Sequence, residues 1–539
     1  MIRNPILPGF NPDPSICRVG DDYYIATSTF EWYPGVQIHH SKDLVNWTLV
    51  RRPLERQSQL DMRGNPDSCG IWAPCLSYAA GLFWLVYTDV KRYDGNFKDA
   101  HNYIVTSPTI EGDWSDPIYV NSSGFDPSLF HDDDDGRKWF VNMQWNHRTE
   151  SYGGAPKSPA FDGILLQEWD PETKSLKGPI KNIFAGSPLG LVEGPHLFKR
   201  NGWYYLTTAE GGTGYDHAVT MARSRAIDGP YEMHPNMHLI TSKDAPEAML
   251  QRAGHGQYVE TPDGQAYHTH LCGRPMPPKR RCTLGRETAL QKCVWKDDGW
   301  LYLAQGGVVP DVEVPAPTDV DVLEQPARIE TRFQPGLLPT EFQWLRTPQP
   351  ERIFSLSERP GHLRLYGRES IGSWFEQALV ARRQEHHSFR AETTIDFSPE
   401  TYQQVAGLTH YYNRHKFHAL VVTLHEKLGR VVTIFSCAGD FPHGRMVFPV
   451  DSGVAVPDGA VDLAMEIKEN DLQFFWRSAS GGGWQEIGPV LDAGVISDEG
   501  GRGEHGSFTG AFAGMLAFDT SGRAHPADFS RFVYEHIES

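Results

Sequence analysis

Asn11-Pro12-Asp13-Pro14-Ser15, followed by Gly20-Asp21-Asp22-Tyr23-Tyr24, decides how this chain is read. A short acidic signature runs into proline, and a few residues later a tight turn opens an aromatic strand. The acidic half returns as Asp126-Pro127-Ser128 and, in altered form, as Glu193-Gly194-Pro195. The turn-plus-aromatic half returns as Gly81-Leu82-Phe83-Trp84, Asp135-Gly136-Arg137-Lys138-Trp139-Phe140, Asn201-Gly202-Trp203-Tyr204-Tyr205 and Asp263-Gly264-Gln265-Ala266-Tyr267. Copies start roughly 50 to 70 residues apart, a spacing suited to a four-stranded propeller blade. Asn-Gly and Asp-Gly between apolar runs signal hairpins, because glycine tolerates positive φ. The copies are irregular in length and show little helical periodicity, which sets a solenoid aside. The predicted fold is all-β, built on a five-bladed propeller.

Pro14, Pro74, Pro127 and Pro195 fit the innermost strand of a blade, whose free edge needs no ladder donor. Proline also favours extended geometry in its predecessor, which predicts extended backbones at Asp13 and Asp126. Successive blades would then bring carboxyl groups to a common centre. Carboxyls in different environments at one centre suit acid/base hydrolysis of a glycosidic bond.

Composition narrows the function. The 539 residues exceed one ordinary core and suggest two or three domains. Aromatics make up 12% of the chain, enough for large β cores and for stacking on sugar rings. A net charge of −18 argues against nucleic-acid or anionic-membrane binding. Seven cysteines without a Cys-x-x-Cys pair argue against a disulfide framework or zinc ribbon and point to a reducing compartment. Met1-Ile2-Arg3-Asn4-Pro5 opens no apolar stretch long enough for a signal peptide, and no window suits a transmembrane helix. A cytoplasmic location is expected.

The repeats occupy residues 1–305, read as the propeller and catalytic domain. Residues 306–325, with Pro310, Pro315 and Pro317, read as a surface linker. Residues 326–539 are again β-rich but lose the repeat. Phe389–Ile395 and Val461–Ile467 alternate apolar with polar, as half-buried strands do, while Ala419–Leu424 and Val431–Phe435 flank a turn at Gly429. A two-sheet β-sandwich is predicted there. The run Asp132–Asp135 lacks the spaced ligands of a calcium loop and reads as a solvated turn.

With these residues in view, the chain resembles the β-xylosidases of glycoside hydrolase family 43 along essentially its whole length. The resemblance rests on Asn11-Pro12-Asp13-Pro14-Ser15, Ser28-Thr29-Phe30-Glu31-Trp32, Gly70-Ile71-Trp72-Ala73-Pro74 and Phe125-Asp126-Pro127-Ser128. It continues through Glu193-Gly194-Pro195-His196, Ala209-Glu210-Gly211-Gly212-Thr213, Gly254-His255-Gly256 and Leu284-Gly285-Arg286-Glu287-Thr288. It implies a concanavalin-like sandwich reaching over the propeller's site and inverting release of xylose from the non-reducing ends of xylo-oligosaccharides. By that resemblance Asp13 is the general base, Glu193 the general acid and Asp126 a third carboxylate that orients the acid and tunes its pKa. Arg286 and His255 would contact the sugar. Phe30, Trp72, Trp145 and Thr213 would line its pocket, with Phe508 inserted from the sandwich. No cofactor is expected to be required, although some related propellers hold a Ca2+ beside this histidine, mostly through waters. The resemblance favours a homo-dimer or tetramer.

Three other readings stay open on sequence alone. An α-L-arabinofuranosidase or dual-activity enzyme would share the fold, because the two sugars can present similar hydroxyls. A non-catalytic carbohydrate-binding protein would keep the aromatics but not need three carboxyls. A retaining hydrolase on a related propeller would need its two carboxyls nearer 5 Å apart.

Overall fold

The computed structural model describes residues 1–93, 97–148, 160–439, 445–501 and 507–538. Five antiparallel sheets fill the chain from Ser15 to Leu303, and two eight-stranded sheets follow. The chain is all-β, a five-bladed propeller with a C-terminal sandwich.

The repeated turns make the blades. Gly20, Gly81, Gly136, Gly202 and Gly264 each sit between the first and second long strands of a blade, at φ of 62°, 77°, 74°, 73° and 84°. A side chain there would meet the left-handed region's penalty, so glycine recurs for conformational reasons. The first strands, Ser15–Val19, Gly70–Ala79, Ser128–His131, Glu193–Arg200 and Gln251–Gly254, each lie at a sheet edge. Pro14 and Pro127 directly precede such strands. Pro74 and Pro195 fall inside them at register shifts, Trp72 to Cys75 and Glu193 to His196, where no ladder donor is required.

The serines of the acidic signatures join neighbouring blades. Ser15 Oγ donates to Gln257 Oε1 at 2.7 Å and accepts from the Leu76 amide at 3.0 Å. Ser128 Oγ donates to the Pro195 carbonyl at 2.6 Å.

Three local expectations change. Asp13 and Asp126 are not extended; their φ angles are +57° and +54°. A left-handed backbone at such a residue costs about 1–3 kcal/mol and persists only where surroundings over-determine it, as the hydrogen bonds on both carboxylates described below do. Asp132 is not solvated: it is buried, accepts from Tyr204 Oη at 2.6 Å and pairs with Lys199 Nζ at 3.0 Å, linking two blades. The sandwich strand Val461–Lys468 is buried on both faces rather than half-buried, because Asp462 is covered by Arg477 at 2.7 Å and by Thr394 at 2.6 Å.

Residues 306–325 are largely exposed coil, apart from Glu313–Val314, which pairs with Ile2–Arg3. The sandwich is built into the propeller rather than tethered to it. Trp32–Tyr33, from the first blade, pairs with Phe342–Leu345 and becomes the edge strand of one sandwich sheet. Trp32 is fully buried and stacks on Phe512 at a centroid distance of 3.8 Å. Burying such a ring stabilises the junction by about 1.5–3 kcal/mol.

Candidate active site

The five blades converge through one recurring backbone device. The residue before the inner-strand proline has positive φ in four blades: Asp13, Ala73 (30°), Asp126 and Gly194 (56°). In the fifth, His255 has φ 45° and is followed by Gly256 instead of proline. Glu193 therefore stands one residue earlier in its blade than Asp13 and Asp126 do in theirs. Gly194 occupies the equivalent place because a Cβ there would lie 2.9 Å from the His255 ring.

Asp13 is buried and fully engaged. Arg286 Nη1 donates to its Oδ1 at 2.8 Å and Ser28 Oγ to its Oδ2 at 2.7 Å, while His255 Nδ1 lies 3.7 Å from Oδ1. Burial alone would raise its pKa, but Arg286, His255 and the Ser28 hydrogen bond outweigh that and hold it below the usual carboxylate range. Glu193 is pushed the other way, to about 8, by burial and by the charge of Asp13. Asp126 is raised well above its ordinary value by burial, then by Glu193 and Asp13, even though the Gly194 amide donates to its Oδ2 at 3.1 Å. The centre thus sets a carboxyl whose pKa is lowered, Asp13, beside two whose pKa values are raised, Glu193 and Asp126. Burial and the charge of Asp13 both favour the protonated form of Glu193, and Glu193 and Asp126 repel one another when both are ionised.

These groups open into a cavity of about 250 Å³. That is below the ~300–1,000 Å³ of pockets for drug-sized ligands, so it suits a single small ring rather than a chain. Asp13, Asp126, Glu193, Arg286, His255, Phe30, Trp72, Trp145, Thr213 and Phe508, the ten residues singled out from sequence, all line it. Tyr93, Lys98, Phe125, Phe161 and Gly212 line it too. Phe125 and Gly212 were legible as neighbours of Asp126 and Thr213. Nothing in the sequence around Lys98 or Phe161 marks them. Lys98 Nζ sits 4.2 Å over the Trp145 ring.

Phe508 reaches the cavity from the sandwich. Its ring meets Tyr93 at 5.6 Å and Trp72 at 6.0 Å, both edge-on. Its amide donates to Ser68 Oγ at 3.2 Å, and its carbonyl accepts from Arg286 Nη2 at 3.0 Å. Arg286 thereby bridges Asp13 and the sandwich. Its fixed fork of donors suits that geometry.

Among the described residues, no three His, Cys, Asp or Glu side chains converge as a metal-binding group. Among the same residues no helix is long and apolar enough to cross a membrane.

Comparison with known proteins places these features in company. Residues 2–301 match the family model described as Glycosyl hydrolases family 43, and residues 330–535 the Beta xylosidase C-terminal Concanavalin A-like domain. The chain is 60% identical over 539 residues to Xylosidase/arabinosidase 43B of Humicola insolens, covering 100% of this chain and 98% of that protein. It is 48% identical over 544 residues to the Beta-xylosidase of Bacillus subtilis, covering 99% of each. The solved xylan beta-1,4-xylosidase from Bacillus halodurans C-125 superposes with a TM-score of 0.94 at 50% identity, covering 99% of this chain and 100% of that one.

Proposed function

The chain belongs to glycosyl hydrolases family 43 and is a glycoside hydrolase, and from that premise we propose that it is an inverting exo-xylosidase. It removes single xylose units from the non-reducing ends of β-1,4-xylo-oligosaccharides. The observation that carries this reading is the opposed tuning of carboxyls in one small cavity. Asp13 is held ionised by Arg286 and Ser28, and Glu193 is held protonated by burial and by Asp13.

In this reading the terminal xylose sits among Phe30, Trp72, Trp145, Thr213 and Phe508, with Arg286 and His255 toward its hydroxyls. Asp13 accepts a proton from a water molecule whose oxygen bonds to the anomeric carbon on the face opposite the leaving group. Glu193 gives its proton to the glycosidic oxygen as that carbon–oxygen bond breaks. Asp126, fixed by the Gly194 amide, orients Glu193 and shares its titration. The products are free xylose with inverted configuration and the shortened oligosaccharide.

Proton NMR of xylobiose hydrolysis tests the proposal. α-Xylose should appear first; initial β-xylose, or a trapped glycosyl-enzyme, would overturn it. A second reading, activity on α-L-arabinofuranosides as well, is favoured by the 60%-identical relative, whose name carries both activities. Initial rates on the two nitrophenyl glycosides decide between them.

The same proposal has hydrolysis proceed without added metal; activity lost to EDTA and restored by Ca2+ would count against it. It also has the chain work in the cytoplasm, as buried free thiols at Cys17, Cys69, Cys75, Cys272, Cys282 and Cys293 suit a reducing compartment. A dimer or tetramer completes it, to be checked by sedimentation.

A further inference from the structure

Phe508 belongs to a segment that approaches the propeller from far along the chain, yet a pocket wall must be held to a fraction of an ångström. Part of that hold is steric and backbone-borne. A Cβ at Gly285 would lie 2.0 Å from the Thr509 carbonyl, and the Ala511 amide donates to the Thr283 carbonyl at 2.8 Å. The rest passes through a buried polar cluster that the chemistry above does not use.

Asp498, a sandwich residue 7% exposed, stands at its centre. Its Oδ1 accepts from Tyr412 Oη at 2.5 Å, and that same hydroxyl oxygen accepts the Thr509 amide at 3.0 Å. Its Oδ2 pairs with Arg252 Nη1 at 2.6 Å, and Arg252 Nε donates to the carbonyl of Thr213 at 2.9 Å. Arg252 belongs to the innermost strand of the fifth blade and has φ +56°. One carboxylate therefore reaches two walls of the cavity. It meets Phe508 through Tyr412 and Thr509, and Thr213 through Arg252.

We infer that Asp498, with Tyr412 and Arg252, is a positioning residue that sets the distance between the sandwich wall and the propeller wall of the sugar pocket. None of the three lines the cavity. An unpaired carboxylate in this buried place would be costly, and the cluster satisfies it only when both domains are docked in this register. The pocket is thereby complete only in the docked arrangement. The inference rests on the reading of Phe508 as a wall of the xylose site.

The test is a double-mutant cycle in the full-length protein, with kcat/KM on xylobiose and thermal midpoint as readouts. Tyr412→Phe removes the hydroxyl that links Asp498 to Thr509 and little else. It should lower kcat/KM roughly three- to tenfold, the range expected for one lost hydrogen bond. In a Phe508→Ala background the same substitution should change kcat/KM by less than about twofold, since neighbours that act through one another are not additive. A Tyr412→Phe protein with unchanged kinetics, or with the same loss in both backgrounds, would overturn the positioning role. If Phe508→Ala itself leaves kinetics unchanged, the pocket-wall reading fails and this inference falls with it. Should Tyr412→Phe not fold, Asp498→Ala, which removes the acceptor of the Tyr412 hydroxyl, is carried through the same two backgrounds. A loss confined to the Phe508 background supports the inference, and an equal loss in both overturns it.

Discussion

Replacing Glu193 with glutamine isolates one proton. The amide keeps the shape and polarity of the side chain but cannot protonate a departing oxygen. Its pKa is pushed up to about 8, so at pH 7 native Glu193 favours the protonated form that the variant cannot supply. General-acid catalysis typically contributes 10²–10⁴-fold, or about 3–5 kcal/mol of transition-state stabilisation. Xylobiose, whose leaving group is a sugar alkoxide, should lose that full amount in kcat/KM. A nitrophenyl xyloside, whose phenolate departs unaided, should lose less than about tenfold. The pH profile supplies a second readout. Native kcat/KM should fall as pH rises through about 8, where Glu193 releases its proton, and Glu193→Gln should abolish that limb. Equal losses on both substrates, or a basic limb that survives in the variant, would refute Glu193 as the acid.

Asp13→Ala should impair xylobiose and nitrophenyl xyloside alike, because water must be activated in either case; a selective loss would reassign it. Phe508→Ala should weaken substrate binding by about 1–3 kcal/mol, the range for one large apolar side chain, and melting temperature measured beside kinetics separates a lost wall from lost stability. Arg286→Lys should move the acid limb of the profile toward neutrality, since a lysine lacks the planar fork whose two separate nitrogens reach the Asp13 carboxylate and the Phe508 carbonyl. Thermal melts against pH should show Glu193→Gln more stable than the native chain near pH 7 and equal to it near pH 4. The folded native state keeps the Glu193 proton that the unfolded chain releases, so native stability falls as pH rises from about 4.3 to about 8.

The sequence by itself determined the blades, because hairpin chemistry acts within a few residues. A glycine at positive φ before an aromatic strand is a local requirement, and its five recurrences at Gly20, Gly81, Gly136, Gly202 and Gly264 made the propeller legible. The resemblance to family 43, carried by those motifs, pointed to the ten cavity residues. Local rules failed where distant parts decide. The rule for residues before proline predicted extended backbones at Asp13 and Asp126, but hydrogen bonds from Ser28, Arg286 and Gly194 hold both left-handed. Charge ordering was equally out of reach, because burial and opposite charges set it. Asp13 is ionised on account of an arginine 273 positions away, and Phe508 is seated on Ser68 across 440. Such distances carry no periodicity and no turn signal. Only the closed ring of blades, with the sandwich docked through Trp32 and Phe512, brings those groups together and excludes the water that would otherwise level their pKa values.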